Sequence, residues 1–303
     1  MATNNDIITR PRHTHGGAFL TQPFTRKSQA LENAERERGI LHGLKAGFVR
    51  ENADRTGRVS VPGTESPQLH RRGNRTPAGT VLLCLPDYRR GGTTGASNTG
   101  NEPYSEYYAA QIANALGVNA INYGLSKWKG ELCSTCELFT SKEYSFLPVG
   151  HLVTSGGMEA VVAYYKSLGE PFTMALYDML VFDAIICNTD RHFGNFGFLV
   201  DNTTNQISGP APLFDHGNSL FNYTGRDDLE SEQTLSDYAD TLVPCVYNDF
   251  IGTAKSVLTQ THRNGLRRLL NFKFKRHSRY NLPVNRLRLI EKQVQSRART
   301  LLE

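Results

Sequence analysis

The clearest pattern along the chain is a helical repeat of apolar side chains that begins after residue 100. Within 101–117, Tyr108, Ile112 and Leu116 recur at four-residue intervals, and Gly117 follows them. Because side chains four residues apart lie on one helix face, these residues predict an amphipathic helix with one buried face. Glycine is a common residue just past a helix end, so the helix is predicted to end there.

A longer apolar segment follows at 172–186, directly after Pro171. Proline suits the first turn of a helix, and the segment is hydrophobic on most sides, which is typical of a centrally buried helix. The rest of the pattern predicts strands at 120–126, 132–140, 196–200 and near Leu213, a turn over 202–209, and helices at 157–168 and 285–302.

The first 100 residues carry a weaker pattern. One helix with sparse apolar positions is predicted at 28–47, and one strand-like run at 80–85. Residues 49–100 are rich in Gly, Pro, Thr and Arg, which is a composition typical of loops or disorder. We therefore expect an atypical, poorly ordered N-terminal region over 1–100.

Length and composition narrow the class of protein. The 303 residues leave room for two domains or two lobes of one fold, and 39% hydrophobic with 21% charged residues excludes a fibrous or wholly disordered chain. No uncharged apolar run approaches a membrane span, and no secretory signal is visible, so we expect a cytoplasmic protein without a membrane partner. One C-x-x-C among five cysteines favours buried, reduced thiols over structural zinc.

The net charge of +5 conceals three unequal segments. Residues 1–149 hold 18 Lys and Arg against 13 Asp and Glu, residues 150–253 hold 3 against 14, and residues 254–303 hold 13 against 2. The bulk excess of positive charge therefore does not by itself indicate nucleic-acid binding. The basic C-terminal segment is expected either to pack on the acidic segment or to form a solvated helix face.

The residues that carry chemistry follow the predicted buried helix. They read C-N-T-D-R-H-F-G-N-F-G over 187–197 and A-P-L-F-D-H-G-N-S-L over 211–220. Phosphoryl transfer uses a loop Asp as base, an Asn in D-x-x-x-x-N spacing as a Mg²⁺ ligand, and a second Asp as the main Mg²⁺ ligand. Asp190, Asn195 and Asp215 occupy these positions. Each match alone also fits a turn cap or a solvated loop residue, but the ordered combination favours a kinase.

These motifs resemble those of the HipA-like serine/threonine kinases, which read N-T-D-x-H-x-x-N-F and A-P-x-x-D. A more distant similarity is to the phosphatidylinositol kinases, which share a D-R-H-x-x-N loop. The resemblance continues upstream, with E-P-Y-S-E at 102–106 for the helix of the N-lobe and S-T-C-E-L-F at 134–139 for the hinge. It covers about 101–303.

The resemblance implies an α+β, two-lobed protein-kinase-like fold with a small, atypical or incomplete N-lobe and a mainly helical C-lobe. Residues 101–150 would supply the N-lobe helix, strands and hinge, and residues 151–303 the C-lobe. The catalytic residues would then be Asp190 as base, His192 as a support of the loop, and Asn195, with Asn195 and Asp215 as metal ligands.

The remaining residue roles concern the nucleotide. Glu137 to Phe139 would present hinge backbone groups to adenine, and Glu106 would orient the lysine that contacts ATP, with Glu102 as the alternative. Arg191 would pair with a group of the segment around Asp215 or cap its own loop. The plainer interpretation of residues 137–139 is an ordinary strand, and that of Glu106 or Glu102 is a solvated residue at a helix terminus.

One departure from the family pattern is serious. The family places a lysine before Gly-Gly, whereas this chain has Arg90 there, and no lysine occurs between 46 and 126. Arginine keeps the charge but does not replace an ammonium group in a packed site. Three explanations remain open: an altered or corrupted N-lobe, a pseudokinase, or an active enzyme that uses Arg90.

The function implied is ATP- and Mg²⁺-dependent phosphoryl transfer to a protein Ser or Thr. A small antitoxin-type partner is implied by the same resemblance. The alternatives are a catalytically impaired pseudokinase that acts as a scaffold through its basic C-terminal segment, or a lipid kinase. Direct nucleic-acid contact is not expected, because few aromatic residues are interleaved with the basic ones.

Overall fold

The computed structural model describes residues 48–50, 52–53, 59–60, 81–84, 99–128 and 130–303. The described helices are α1 (Glu102–Leu116), α2 (Gly157–Ser167), α3 (Glu170–Ile186), α4 (Glu232–Thr241), α5 (Phe250–Val257), α6 (Gln260–Leu269) and α7 (Val284–Leu302). The described strands are β1 (Phe48–Arg50), β2 (Asn52–Ala53), β3 (Val59–Ser60), β4 (Val81–Cys84), β5 (Gly124–Trp128), β6 (Glu131–Glu137), β7 (Tyr144–Pro148), β8 (Gly197–Asp201) and β9 (Ile207–Pro210).

The strands form three antiparallel groups. A four-stranded sheet has the order β1-β4-β6-β5, a separate pair joins β2 to β3, and a three-stranded sheet has the order β7-β8-β9. The chain leaves the first sheet at the end of β6 and enters the third sheet at β7. Residues 138–143 therefore connect the strand-rich part of the chain to the helical part, as a hinge would.

Helix α1 begins and ends where its sequence predicts. Pro103 lies in the first turn, and Gly117 follows the last turn with a positive φ of 85°, a backbone conformation that glycine adopts without a steric penalty. Tyr108, Ile112 and Leu116 are all buried on one face. The pattern of apolar positions is therefore sufficient to place this helix and its buried face.

The C-terminal end of α1 is joined to α6. The Arg268 guanidinium donates from Nε to the carbonyl oxygen of Ala115 at 2.5 Å and from Nη2 to that of Leu116 at 2.9 Å, which satisfies two carbonyls left open at the helix end. A Cβ atom at Gly265 would lie 2.5 Å from the Leu116 oxygen, so only glycine permits this close approach. Tyr108 also donates to Asn281 Oδ1 at 3.1 Å.

Helix α3 is the centre of the hydrophobic core. Its second half is buried on all sides, as the apolar sequence predicts, and α2, α5 and α7 pack around it. The helix ends at Cys187, which adopts a left-handed conformation with φ 51° and turns the chain into the loop that follows. The arrangement is α+β with a mainly helical C-terminal part, which confirms the predicted fold class.

One predicted strand and one predicted turn need correction. The strand expected near Leu213 is reduced to a single parallel bridge with Ala120. The second strand of the hairpin is instead β9, inside the predicted turn over 202–209, because the Asp201 carboxylate accepts the backbone N–H groups of Thr203 and Thr204 and closes the turn early. Strands β1 to β3 were not predicted, since two or three residues carry no detectable alternation.

The basic C-terminal segment packs partly on the acidic one. Arg297 is buried and donates to the carbonyl oxygen of Ala184 at 2.5 Å, and Arg286 donates to that of Phe221 at 2.7 Å. Both contacts agree with the first of the two predicted alternatives. The predicted helix at 28–47 and Arg90 lie outside the described residues. No helix in the described part of the chain could span a membrane.

Candidate active site

The loop after α3 is held in shape by its own polar groups. Asn188 Oδ1 accepts the backbone N–H of Asp190 at 3.1 Å, and the carbonyl oxygen of Asp190 accepts the backbone N–H of His192 at 2.8 Å. The same carbonyl accepts Asn195 Nδ2 at 3.2 Å. His192 Nδ1 accepts the backbone N–H of Gly194 at 3.1 Å, so the imidazole contacts the backbone of its own loop.

Asp215 lies against this loop from the other side. It follows β9 and has a positive φ of 59°, a conformation that is uncommon outside glycine and that concentrates at functional sites. The Asn195 side chain lies close enough to this carboxyl to lower its pKa. Asn195 Oδ1 is buried and has no hydrogen-bond partner among the described residues. The fold therefore brings Asp190, Asn195 and Asp215 together.

The carboxylates of this site repel one another. Burial, followed by the negative charge of Asp190, raises the pKa of Asp215 to about 7. Glu106 is also buried, and burial together with the charge of Asp215 raises the pKa of Glu106 well above its usual value. A cation placed among these groups would relieve both effects.

Glu106 contacts the segment that carries Asp215, from α1. Its Oε2 atom accepts the backbone N–H of His216 at 3.0 Å. The preceding residue, Ser105, donates its hydroxyl to the carbonyl oxygen of Ser219 at 2.9 Å, so two consecutive residues of α1 fix this segment. Glu102, the predicted alternative to Glu106, accepts the backbone N–H of Thr99 at 2.9 Å instead.

A buried arginine joins the two sides of the site. Arg191 donates from Nε and Nη2 to both carboxylate oxygens of Asp183, at 2.9 and 3.0 Å, and neither side chain is exposed. Its Nη1 atom donates to the carbonyl oxygens of Phe214, at 2.5 Å, and Asn195, at 3.3 Å. Arg191 thus connects α3, its own loop and the residue before Asp215. It contacts both of the regions that the two predicted alternatives named, the segment around Asp215 and its own loop.

His216 completes this arrangement. Its Nδ1 atom lies 3.0 Å from Arg191 Nη2, and burial together with the arginine charge holds the pKa of His216 well below its usual range. The imidazole is therefore neutral and accepts a hydrogen bond at Nδ1. Neither Asp183 nor His216 was predicted as a site residue, although an Asp inside an apolar helix is a signal that a buried cation must face it.

The predicted hinge residues lie at the end of β6. Glu137 is the last residue of that strand, is exposed, and pairs in register with Val81. The Phe139 ring lies 5.3 Å from the Phe214 ring and 5.8 Å from the Phe146 ring, between centroids. The hinge thus packs against the residue before Asp215. Arg90 lies outside the described residues, so its position relative to Glu106 is not described.

Asn218 is a further residue that the sequence did not assign to the site. Its Nδ2 atom donates to Asp190 Oδ2 at 2.9 Å, and its carbonyl oxygen accepts the backbone N–H of Thr189 at 3.2 Å. Asn218 lies three residues after Asp215 in the sequence. The signal that could have found it is weak, because asparagine is common in loops of every kind.

Comparison with known proteins identifies relatives among kinases. No protein-family model matches the chain. The serine/threonine-protein kinase CtkA of Helicobacter pylori is 30% identical over 162 residues, which are 49% of this chain and 49% of that protein. The chain thus spans about half the length of the curated relative that it matches.

The fold comparison agrees with the sequence comparison. A crystal structure of the proinflammatory kinase CtkA of Helicobacter pylori matches with a TM-score of 0.56 and 17% identity, covering 84% of this chain and 95% of that one. A complex of HipA, HipB and operator DNA from Shewanella oneidensis matches with a TM-score of 0.39 and 13% identity, covering 93% of this chain and 73% of that one. This TM-score is too low to support a conclusion. The similarity to CtkA confirms the predicted resemblance to the HipA-like kinases, and the fold is similar to that of the kinase CtkA.

Proposed function

We propose that this protein is a HipA-like kinase that transfers the γ-phosphate of ATP to a Ser or Thr of a protein substrate. Asp190 is the base, Asn195 and Asp215 are the magnesium ligands, and His192 supports the loop that carries the base. The single observation that supports this most is the convergence of the partly exposed Asp190 with the buried Asn195 and Asp215, which come from two separate segments.

The donor set suits Mg²⁺ in particular. Asn195 Oδ1 is buried without a partner among the described residues, and burial beside Asp190 raises the pKa of the Asp215 carboxyl, so both groups gain from a cation. Mg²⁺ prefers oxygen ligands and is commonly held by one or two carboxylates together with the phosphates of a substrate. When bound, Mg²⁺ would neutralise charge on the nucleotide phosphates.

The chain's own residues would position the acceptor and remove its proton. Asp190 takes the proton of the substrate hydroxyl, since it lies on the loop and keeps one oxygen outside the hydrogen bond to Asn218. Arg191 and Asp183 hold the backbone of this loop against the Asp215 segment. Catalysis would therefore rest on positioning and on electrostatic stabilisation.

The nucleotide would lie between two lobes. Residues 101–150, with α1 and the hinge, would belong to the N-lobe, and residues 151–303 would form the C-lobe. Glu137 to Phe139 would offer hinge backbone groups to adenine, and Glu106 would orient the cation that contacts ATP, at the position where Arg90 replaces the expected lysine. The buried Glu106 carboxylate supports this role, because a buried acid beside Asp215 is stabilised by a cation.

A catalytically impaired pseudokinase is the second candidate. The specific observation in its favour is the Arg90 substitution, since a guanidinium is larger than the ammonium group that the family uses. In that case the protein acts as a scaffold. For an active kinase, a small antitoxin-type regulator remains the partner that the family resemblance favours.

An assay of phosphoryl transfer tests the proposal. Wild-type protein with Mg²⁺ and radiolabelled ATP is expected to label casein, and Asp190→Asn should lower that rate about 10²- to 10⁴-fold, because the base is lost. Asp237→Asn, an exposed acid on α4, is the matched control and should leave the rate unchanged. Transfer that persists in Asp190→Asn would contradict the assignment, and nucleotide binding without transfer by wild type would favour the pseudokinase.

A further inference from the structure

A chain of three side chains runs from the protein surface to the proposed base. The Tyr223 hydroxyl donates to Asn218 Oδ1 at 2.9 Å, and Asn218 Nδ2 donates to Asp190 Oδ2 at 2.9 Å. Asn222 Nδ2 adds a longer hydrogen bond of 3.3 Å to the same Asn218 oxygen. Tyr223 is 39% exposed, so the outer end of this chain lies at the surface.

The direction of the hydrogen bonds from Tyr223 to Asp190 is determined by the Asp190 carboxylate. An ionised carboxylate only accepts hydrogen bonds, so the Asn218 group that faces Asp190 must be the NH₂ group. The side-chain oxygen of Asn218, Oδ1, then faces away from Asp190 and accepts hydrogen bonds from Tyr223 and Asn222. The orientation of the Asn218 amide is thus specified by donors on one side and an acceptor on the other.

The backbone of Asn218 is attached to the same loop. The backbone carbonyl oxygen of Asn218 accepts the N–H of Thr189 at 3.2 Å and the Thr189 hydroxyl at 3.4 Å. Thr189 is the residue before Asp190. Main chain and side chain of Asn218 therefore contact two successive residues of the loop. The side-chain contact occupies Asp190 Oδ2, while no described residue donates to Asp190 Oδ1.

We propose that Asn218 is a positioning residue that leaves Asp190 Oδ1 as the proton-accepting oxygen, and that Tyr223 holds the Asn218 amide in the required orientation. This inference rests on the proposed kinase function. In the transfer step the substrate hydroxyl oxygen bonds to the γ-phosphorus, the bond from that phosphorus to the bridging oxygen breaks, and ADP leaves with the electron pair. The hydroxyl proton goes to Asp190 Oδ1.

The first test separates positioning from binding. Asn218→Ala is expected to lower kcat for casein labelling about tenfold or more, with the KM for ATP little changed, since a hydrogen bond to a charged group is lost. Asn264→Ala, an exposed asparagine on α6 that bonds only within its own helix, is the matched control. Equal kcat values for the two variants would overturn the inference.

The second test asks whether Asn218 acts through Asp190. In the Asp190→Asn background, Asn218→Ala should cause no further loss of kcat, because the group that it positions is already gone. A merely structural role would lower the rate by the same factor in both backgrounds. Thermal unfolding of each variant shows whether the fold is retained.

The third test uses a smaller change at the outer end. Tyr223→Phe removes one exposed hydroxyl and should lower kcat about two- to threefold, non-additively with Asn218→Ala. Tyr144→Phe, which is equally exposed at 39% on β7, is its control. Full additivity would overturn the role of Tyr223. A wild-type protein without Asp190-dependent transfer would instead overturn the kinase proposal together with this one, so the two failures are distinguishable.

Discussion

Two groups of buried charge lie next to each other in this protein, and they are built differently. In the first, Asp183 and Arg191 form a fully buried ion pair in which both carboxylate oxygens receive a hydrogen bond. In the second, Asp215 and Glu106 are buried beside Asp190. Burial raises the pKa of all three buried acids, Asp183 included, but only Asp215 and Glu106 are raised further by the charge of a neighbouring carboxylate. The first group is balanced within the described chain, whereas the second carries an excess of negative charge.

The difference distinguishes residues that stabilise the structure of the site from residues that would bind a cation in it. A balanced pair needs nothing further, and removing either member leaves a buried charge without compensation. An acidic group of like charges loses free energy on folding and regains it when a cation binds. We therefore propose that Asp183 and Arg191 hold the structure of the site, and that Asp215 and Glu106 bind a metal ion or a basic side chain.

The largest expected effect comes from breaking the balanced pair. Asp183→Asn should lower the free energy of unfolding by about 3–5 kcal/mol, because the Arg191 charge remains buried without its carboxylate. Asp178→Asn is the matched control on the same helix, since Asp178 is partly exposed and pairs with His262; it should cost about 1 kcal/mol or less. Chemical denaturation measures both, and similar losses would remove the distinction drawn above.

The next largest effect should have the opposite sign. Asp215→Asn is expected to raise the free energy of unfolding by about 1 kcal/mol in a buffer without divalent cations, because it removes one of several buried like charges. The same change should abolish the rise in melting temperature that Mg²⁺ and ATP give the wild type. A loss of stability as large as that of Asp183→Asn would show that Asp215 is structural.

A third expected effect is a pH dependence of the free energy of unfolding. The pKa of Asp215 is about 7 in the folded protein and lies near its ordinary acidic value once unfolded, so between these pH values the folded state binds more protons. The free energy of unfolding should therefore fall as pH rises toward about 7, by at most about 1.4 kcal/mol per pH unit. It should level off above that pH.

Comparison with a variant isolates this contribution. His216, whose pKa is well below its usual range, makes the free energy of unfolding rise with pH, which is opposite to the effect of Asp215. Glu106, whose pKa is raised, makes it fall with pH, as Asp215 does. The difference between wild type and Asp215→Asn, measured by denaturation from pH 5 to 8, removes most of the background. A flat difference would mean that Asp215 does not carry an uncompensated charge.

Much of the helical part could be predicted from sequence because its signals are local. Pro103 and Gly117 fix the bounds of α1, and the apolar run of α3 identifies a central helix. Asp190 and Asn195 could be selected because a short loop must present both, and their spacing is a property of neighbouring residues. These features need no knowledge of which segments meet in space.

The contacts that complete the site could not be predicted in the same way. Asp183 and Arg191 are eight residues apart and meet only because Cys187 reverses the chain at the end of α3. The pairing of Asn218 with Asp190 spans 28 residues and depends on the turn at Asp201, which also moved β9 earlier than predicted. Such contacts depend on tertiary structure, so composition and periodicity do not specify them.

The attachment of α1 to α6 has a consequence for how this protein can move. Arg268 holds the last carbonyls of α1, Ser105 holds its first turns to the Asp215 segment, and the Gly265 contact leaves no space between the helices. Although α1 precedes the hinge in sequence, it is attached to the helical part of the chain near both of its ends. In the proposed kinase, closure over a nucleotide would therefore move β5 and β6 across α1, which they contact, while Glu106 keeps its hydrogen bond to the Asp215 segment.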